Sequence, residues 1–218
     1  MHPAGRALSL FAVTATCASL TLLSCGSDST PAATPDASDG RTYPYTVPNA
    51  PCSIVIDHPT ELPRYHVPPG TPVDYDSNPP SSGPHYDRWG AYQEVTAPLD
   101  ERNYVHDLEH GAIVFVYKCA DDAGGCTDVR NLFHDAVASL PNDQLCLEAH
   151  EGVRVRTVIT PDPKLNSPIA AAAWGWTYNA ECIDLPSLED FAKQHYGQGP
   201  EQLCGDGQVF PVPSGDGG

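Results

Sequence analysis

Short apolar runs separated by polar and proline-rich segments predict the strands of this chain. The runs CSIVID at 52–57 and AIVFVY at 112–117 are rich in β-branched residues, as buried strands are. The segment GVRVRTVIT at 152–160 alternates, which predicts a half-buried antiparallel strand with its two arginines on the outer side. The segment AAAAWGWTYNA at 170–180 predicts one further strand, whose two tryptophans share a face.

Two segments have the 3.6-residue period of amphipathic helices. In the first, Thr127 is the predicted N-cap and Pro141 ends the helix, which leaves His134 on the solvent side. In the second, Ser187 opens a capping box and Gly197 follows as the C′ residue. Because strands and helices interleave without βαβ regularity, we predict one small α+β domain, with a mainly antiparallel sheet and two principal helices packed beside it.

The segment YVHDLEHG, which leads into the second apolar run, admits two local geometries. On a helix, His106 and His110 are i and i+4 neighbours roughly 5–6 Å apart, which is close enough to chelate one ion. On a straight strand they are about 13 Å apart, and no single ion reaches both. An acidic start at Asp100 and a C′ residue at Gly111 favour the helix.

A second motif, PPSSGPHY at 79–86, holds a third histidine in a stiff turn. Gly83 permits a tight bend and Pro84 fixes φ, so His85 has little conformational freedom left to lose. This suits a ligand, and it equally suits a structural turn whose histidine bonds a main-chain carbonyl. The proline-rich segment 58–84 around it is the kind of long irregular loop that is either functional or disordered, and its aromatic and histidine content favours function.

The leading hypothesis is a divalent transition-metal site formed by His85, His106 and His110. Imidazole suits zinc and copper, and the single methionine is the initiator, which argues against a thioether-rich Cu(I) site and leaves Cu(II) or Zn(II). Glu109 is a fourth ligand or, in the preferred arrangement, an acceptor outside the ligand set that orients an imidazole N–H. Tyr86 is likewise predicted to lie next to the ligands without binding the metal itself.

Two other functions remain open. His106, Glu109 and His110 match the H-x-x-E-H pattern of inverted zinc peptidases, with Glu109 as general base, although that pattern belongs on a long helix with a downstream ligand. Alternatively the histidines are structural, and the chain is a non-catalytic envelope module that binds a protein or a wall component through its proline-rich loop.

The charge of the chain excludes one class of partner. It has 28 acidic residues against 11 basic ones, a formal net charge of −17 at pH 7. A phosphate backbone would be repelled, so we predict no nucleic-acid binding. The same field raises the local concentration of cations, including metal ions.

The N-terminus has the order of a lipoprotein signal. Residues 1–6 are positively charged, residues 7–23 are apolar and LLSC at 22–25 resembles a lipobox, so we predict a signal peptide at 1–24 and lipidation of Cys25. An ordinary secretory signal or a short membrane anchor is the alternative. The expected protein is exported and held to a membrane of the cell envelope by its lipid.

Composition divides the rest of the chain. Residues 25–47, rich in Ser, Thr, Pro and Asp, are predicted to be a disordered tether, and residues 205–218 a disordered tail. The globular domain is expected at 48–204.

Six cysteines remain after the signal and the lipidation site, and an exported chain is expected to pair them as three disulfides. No pair has C-x2-C spacing, which disfavours a zinc–cysteine site. The most local pair is Cys119 with Cys126. For the other four cysteines, the favoured arrangement joins Cys146 to Cys182 and Cys52 to Cys204.

Several long motifs carry a resemblance to a known family. These are HVPPGTPVDYDSNPPSSGPHYDRWGAY, VHDLEHGAIVFVYKC, TPDP, AAWGW and HYGQGPE, spread over 66–201. They resemble the bacterial family called domain of unknown function 3105. The resemblance implies the domain boundaries and draws attention to His85, His106, Glu109 and His110, without giving these residues roles.

Overall fold

The computed structural model describes residues 41–119, 126–149 and 152–210. The predicted signal peptide, Cys25 and most of the predicted tether lie outside these residues. The strands are β1 (Tyr45–Thr46), β2 (Ile54–Asp57), β3 (Ile113–Tyr117), β4 (Thr157–Pro161), β5 (Ile169–Ala173) and β6 (Trp176–Ala180). The helices are α1 (Glu101–Glu109), α2 (Thr127–Ser139), α3 (Gln144–Ala149) and α4 (Leu185–His195).

The six strands form one mixed sheet in the order β1-β2-β6-β5-β3-β4. Every neighbouring pair is antiparallel except β3 with β4, so the predicted α+β class with a mainly antiparallel sheet is confirmed. Among the described residues, no helix is long and apolar enough to cross a bilayer.

Strand β3 lies inside the sheet and is buried on both faces, which explains its continuous apolar run. Phe115 points to the face covered by α2 and α4, where it meets the ring of Phe133 at 5.2 Å between centroids. Val114 and Val116 point to the opposite face, where they pack against Leu108 of α1. The sheet therefore has helices on both sides, and α1 occupies the face opposite the two predicted helices.

Two strand predictions need correction. The alternation at 152–160 predicted an antiparallel strand, but β4 begins only at Thr157 and runs parallel to β3. The outer side predicted for its arginines was wrong for Arg156, which is buried because it pairs with Asp143. The second arginine, Arg154, donates to the carbonyl of Leu140 just past the end of α2.

The segment predicted as one strand at 170–180 is a hairpin. Strands β5 and β6 pair with each other around a tight turn at Trp174 and Gly175. Because the chain reverses there, Trp174 packs on the α1 side of the sheet and Trp176 on the other side. The shared tryptophan face was therefore wrong.

The helix predictions were right in position and inexact at their N-termini. Helix α2 has Cys126 as its N-cap, with Thr127 already helical. Helix α4 is capped by Asp184, whose carboxylate accepts from the backbone N–H of Ser187, and it ends before Gly197 at φ +74° as predicted. The short helix α3 was not predicted.

Three disulfides join the six cysteines, and Cys119 pairs with Cys126 as predicted. The other two pairs differ from the favoured arrangement, because Cys52 pairs with Cys182 and Cys146 with Cys204. Sheet register explains the first pair. β2 and β6 are antiparallel with Ile54 opposite Ala180, which brings the residues before β2 and after β6 together.

The structure describes contacts on the far side of both predicted domain boundaries. Strand β1, within the last residues assigned to the tether, pairs with β2. Near the other end, Gln208 accepts from the backbone N–H of Ala91 and donates to the carbonyl of Trp89.

Candidate metal site

The proline-rich loop brings two histidines side by side. Its residues 65–67 lie parallel to 84–86, with the N–H of Val67 donating to the carbonyl of His85 at 2.7 Å and the N–H of His85 donating to Tyr65 at 3.1 Å. The rings of His66 and His85 are consequently 5.1 Å apart between centroids.

Helix α1 supplies the other half of the cluster. Asp100 caps it by accepting from the N–H of Arg102 at 3.0 Å. The helical geometry predicted for the histidine segment is present, since the Nε2 atoms of His106 and His110 are 3.2 Å apart. Both rings are buried and lie against Trp89, with ring centroids 5.1 Å away for His106 and 4.8 Å away for His110. The helix has only 9 residues, so the long helix expected of an H-x-x-E-H peptidase is not formed.

One carboxylate oxygen is the meeting point of three imidazoles. Glu109 Oε2 is 2.9 Å from His85 Nε2, 3.7 Å from His106 Nε2 and 4.0 Å from His66 Nε2. One ligand atom from each of these four residues lies within 4.8 Å of every other. Glu109, His85 and His106 are buried, whereas the His66 side chain is 54% exposed and forms the open side of the group.

Main-chain carbonyls set the orientation of the two buried rings. His85 Nδ1 is 2.8 Å from the carbonyl oxygen of Gly83, and His106 Nδ1 is 2.7 Å from that of Tyr86. A carbonyl oxygen only accepts, so each Nδ1 carries the proton. This orientation turns Nε2 of both rings toward Glu109. Such N–H···O=C contacts are the usual support of metal-binding histidines.

A second group shares Glu109 with the first. One ligand atom each from Glu109, His110 and Glu201 also lies within 4.8 Å of the others, and His110 Nε2 is 3.7 Å from Glu201 Oε2. Arg64 spans the two carboxylates, with Nη1 at 3.1 Å from Glu109 Oε1 and 3.0 Å from Glu201 Oε1.

Close contact between two glycine-containing turns positions Glu201. Gly111 ends α1 with φ +83°, and its carbonyl accepts from the N–H of Gly197 at 2.8 Å. The N–H of Glu201 donates to the carbonyl of Glu109 at 2.9 Å. A Cβ at Gly199 would lie 2.2 Å from the backbone nitrogen of Gly111, so only glycine fits.

Burial controls the protonation of the cluster. Desolvation lowers the pKa of His106 to about 4 and that of His110 to about 4, so both rings are neutral at pH 7. Burial alone would raise the pKa of Glu109, but the hydrogen bond with His85 and the charge of Arg64 hold it below the ordinary value. A neutral imidazole and an ionised carboxylate are the forms that bind metal ions.

The structure brings together four of the residues singled out in the sequence, namely His85, His106, Glu109 and His110. Tyr86 contributes its main-chain carbonyl to His106, while its ring lies under the guanidinium of Arg102.

His134, excluded on sequence grounds, lies on the exposed side of α2, with Nε2 2.8 Å from Glu94. Sequence reasoning missed His66, Arg64 and Glu201. The sequence held a partial signal for two of these residues, because the family-like motifs begin at His66 and end at Glu201.

Fold and site together define a disulfide-bonded α+β domain with a buried histidine–carboxylate cluster beneath a proline-rich loop. The profile of the family described as "Protein of unknown function (DUF3105)" matches residues 66–206, and the chain belongs to this family. Neither the curated proteins nor the solved structures contain a match to the chain. Three disulfides indicate a protein that folds outside the reducing cytoplasm.

Proposed function

We propose that this domain binds a divalent transition-metal ion through His66, His85, His106 and Glu109. The ion occupies the space between the three Nε2 atoms and Glu109 Oε2. This set differs from the one predicted from sequence, because His66 joins it, Glu109 becomes a ligand and His110 lies on the neighbouring side.

The arrangement at Glu109 Oε2 carries this proposal. His85 and His106 direct Nδ1 at main-chain carbonyls, so Nε2 of both rings faces the same carboxylate oxygen, at 2.9 Å and 3.7 Å. Imidazole nitrogens and a carboxylate oxygen that converge in this way are ligand atoms for one divalent ion. A bound cation takes the place of the hydrogen bond between His85 and Glu109.

The ligand types favour zinc or Cu(II). Imidazole suits both ions, and the chain provides no thioether beyond Met1 and no free thiol among the described cysteines. Tetrahedral zinc with bonds of about 2.0–2.1 Å keeps its ligand atoms roughly 3.3 Å apart. The buried ligands need small shifts to reach this geometry, and His66, which is more than half exposed, can rotate inward.

Titration calorimetry of the untagged, chelator-treated protein tests the proposal with Zn(II) and Cu(II). We expect His85→Ala and His106→Ala to weaken binding by at least tenfold, the scale seen when a metal ligand or its support is lost. His134→Ala is the matched control, since it removes an exposed histidine outside the cluster and should leave affinity unchanged. Absence of binding by the wild-type protein, or equal losses in all three variants, would contradict the proposal.

We also propose that the protein is exported and anchored by a lipid on Cys25. The supporting observations are the order of charged, apolar and LLSC segments at 1–25 and the three disulfides of the domain. Cys25→Ser should abolish labelling by a radioactive fatty acid and shift the protein from the detergent phase to the aqueous phase. Continued acylation of this variant would refute the anchor.

A further inference from the structure

Glu109 belongs to both groups of potential ligands, which suggests more than one ion. We infer that a second divalent ion binds between Glu109, His110 and Glu201, so that Glu109 bridges two metals. This inference rests on the proposed first site at His66, His85 and His106. Ions in two-metal sites are about 3.5–4 Å apart, which one carboxylate can span.

The surroundings of His110 supply the main argument. Its ring is 1% exposed, and its Nδ1 has no hydrogen-bond partner among the described residues. Without metal, its Nε2–H donates to Nε2 of His106 at 3.2 Å, since the His106 proton is on Nδ1. Once the first ion takes the lone pair of His106, His110 loses this acceptor. Neither ring nitrogen then has a hydrogen-bond partner among the described residues. An ion at Nε2, with the proton transferred to Nδ1, restores one interaction.

The position of Arg64 provides a second argument. Its Nη1 is within 3.1 Å of both carboxylates, so the structure already holds a positive charge between Glu109 and Glu201. The Arg64 side chain is 40% exposed and can swing toward solvent. A divalent ion that replaces it keeps the two carboxylates neutralised and adds a bond to His110.

The donor set also indicates the kind of ion. Two carboxylates and one imidazole make a harder set than the three imidazoles of the first site, which suits Zn(II), Co(II) or Mn(II) and does not suit Cu(I). Glu201 is 49% exposed, so this ion faces solvent and retains water as a further ligand.

Zinc stoichiometry of the untagged, full-length protein tests the inference. The protein is dialysed against buffered free Zn(II), and bound metal is measured by mass spectrometry. We expect two zinc ions per chain for the wild type and for the control His134→Ala. We expect one ion for Glu201→Gln and for His110→Ala. The His110 variant changes a buried residue and could misfold, whereas the Glu201 variant changes a half-exposed residue and is expected to fold normally.

The outcomes separate the two claims. No zinc in the wild type refutes the proposed function itself. One zinc in the wild type with the same affinity in Glu201→Gln refutes the second site and leaves the first intact. One zinc whose affinity falls at least tenfold in His110→Ala places His110 in a single mononuclear site, which also refutes the second ion.

Arg64→Gln provides an independent check on the same site. Removing the guanidinium removes the competing charge, so the second zinc should bind several-fold more tightly while the first is little changed. Weaker or unchanged binding of the second zinc would overturn the replacement of Arg64 by metal.

Discussion

Replacing Gly199 by alanine should destabilise the domain, because the contact between the 197–201 turn and the end of α1 leaves no space for a side chain. The new Cβ would be 2.2 Å from Gly111 N, 2.4 Å from Glu109 O and 2.6 Å from Leu108 O. All three are backbone atoms, so no flexible side chain can move aside. The turn must retreat from the helix by about 1 Å to reach ordinary contact distances near 3.4 Å.

The cost follows from what this retreat disturbs. Overpacking of this kind costs about 1–3 kcal/mol. The retreat also stretches the hydrogen bonds from Gly197 to Gly111 at 2.8 Å and from Glu201 to Glu109 at 2.9 Å. Each such bond contributes about 0.5–1.5 kcal/mol. Since these terms overlap, we expect a total loss of roughly 2–4 kcal/mol.

Thermal unfolding of the chelator-treated protein measures this loss without interference from metal binding. For a domain of this size, Tm should fall by roughly 5–15 °C. Gly205→Ala is the matched control, because the nearest atom to its Cβ would be in Trp89 at 3.6 Å, and its stability should stay within about 0.5 kcal/mol. A Gly199→Ala protein as stable as this control would refute the close approach of the turn to α1.

Two further predictions concern the rest of the fold. Peptide mapping without reductant should find Cys52 linked to Cys182, and a Cys52–Cys204 peptide would contradict the register of β2 and β6. The two cysteines are 130 positions apart and close a loop of 131 residues. Replacing both cysteines should therefore lower the free energy of unfolding by roughly 5 kcal/mol in the entropic model. Burial would raise the pKa of Asp143, but hydrogen bonding with Tyr196 and the charge of Arg156 hold it below the ordinary 3.8. Its ionised form therefore stabilises the fold above that pH and this contribution is lost as pH falls through the lower, folded-state pKa. Asp143→Asn leaves the buried charge of Arg156 without its carboxylate, so urea unfolding should show a free energy of unfolding about 3–5 kcal/mol below that of the wild type at pH 7. This difference between variant and wild type should shrink below pH 3.8. A difference that grows on acidification would contradict this assignment.

Local signals in the sequence were sufficient for the helical half of the site. Asp100 caps α1 and Gly111 ends it with positive φ, and both follow from the residue types at those positions. Once the helix is placed, the i, i+4 spacing alone brings His106 and His110 together. The stiff turn that presents His85 was predictable in the same way.

The residues that were missed depend on contacts distant in sequence. His66 reaches the cluster because residues 65–67 pair with 84–86, and nothing within the loop specifies that pairing. Glu201 arrives through the fit of Gly199 against the end of α1, which becomes visible only when both segments are placed.

The errors in the sheet have related physical causes. Strand β5 is buried on both faces, so its run of small residues has no alternation to separate it from β6. The alternating segment at 152–160 suggested an exposed arginine side, yet Arg156 is buried by a partner thirteen residues away, Asp143. Long-range pairing of charges thus overrode the local pattern.

Anomalous diffraction at the zinc edge from crystals saturated with Zn(II) tests the central claim most directly. The account predicts a peak about 2.0–2.1 Å from Nε2 of both His85 and His106 and within bonding distance of a Glu109 oxygen. It also predicts that His85 Nε2 and Glu109 Oε2, now 2.9 Å apart, separate to accommodate the ion. Zinc found only at exposed residues such as His134, with the 2.9 Å contact between His85 and Glu109 intact, would contradict the account.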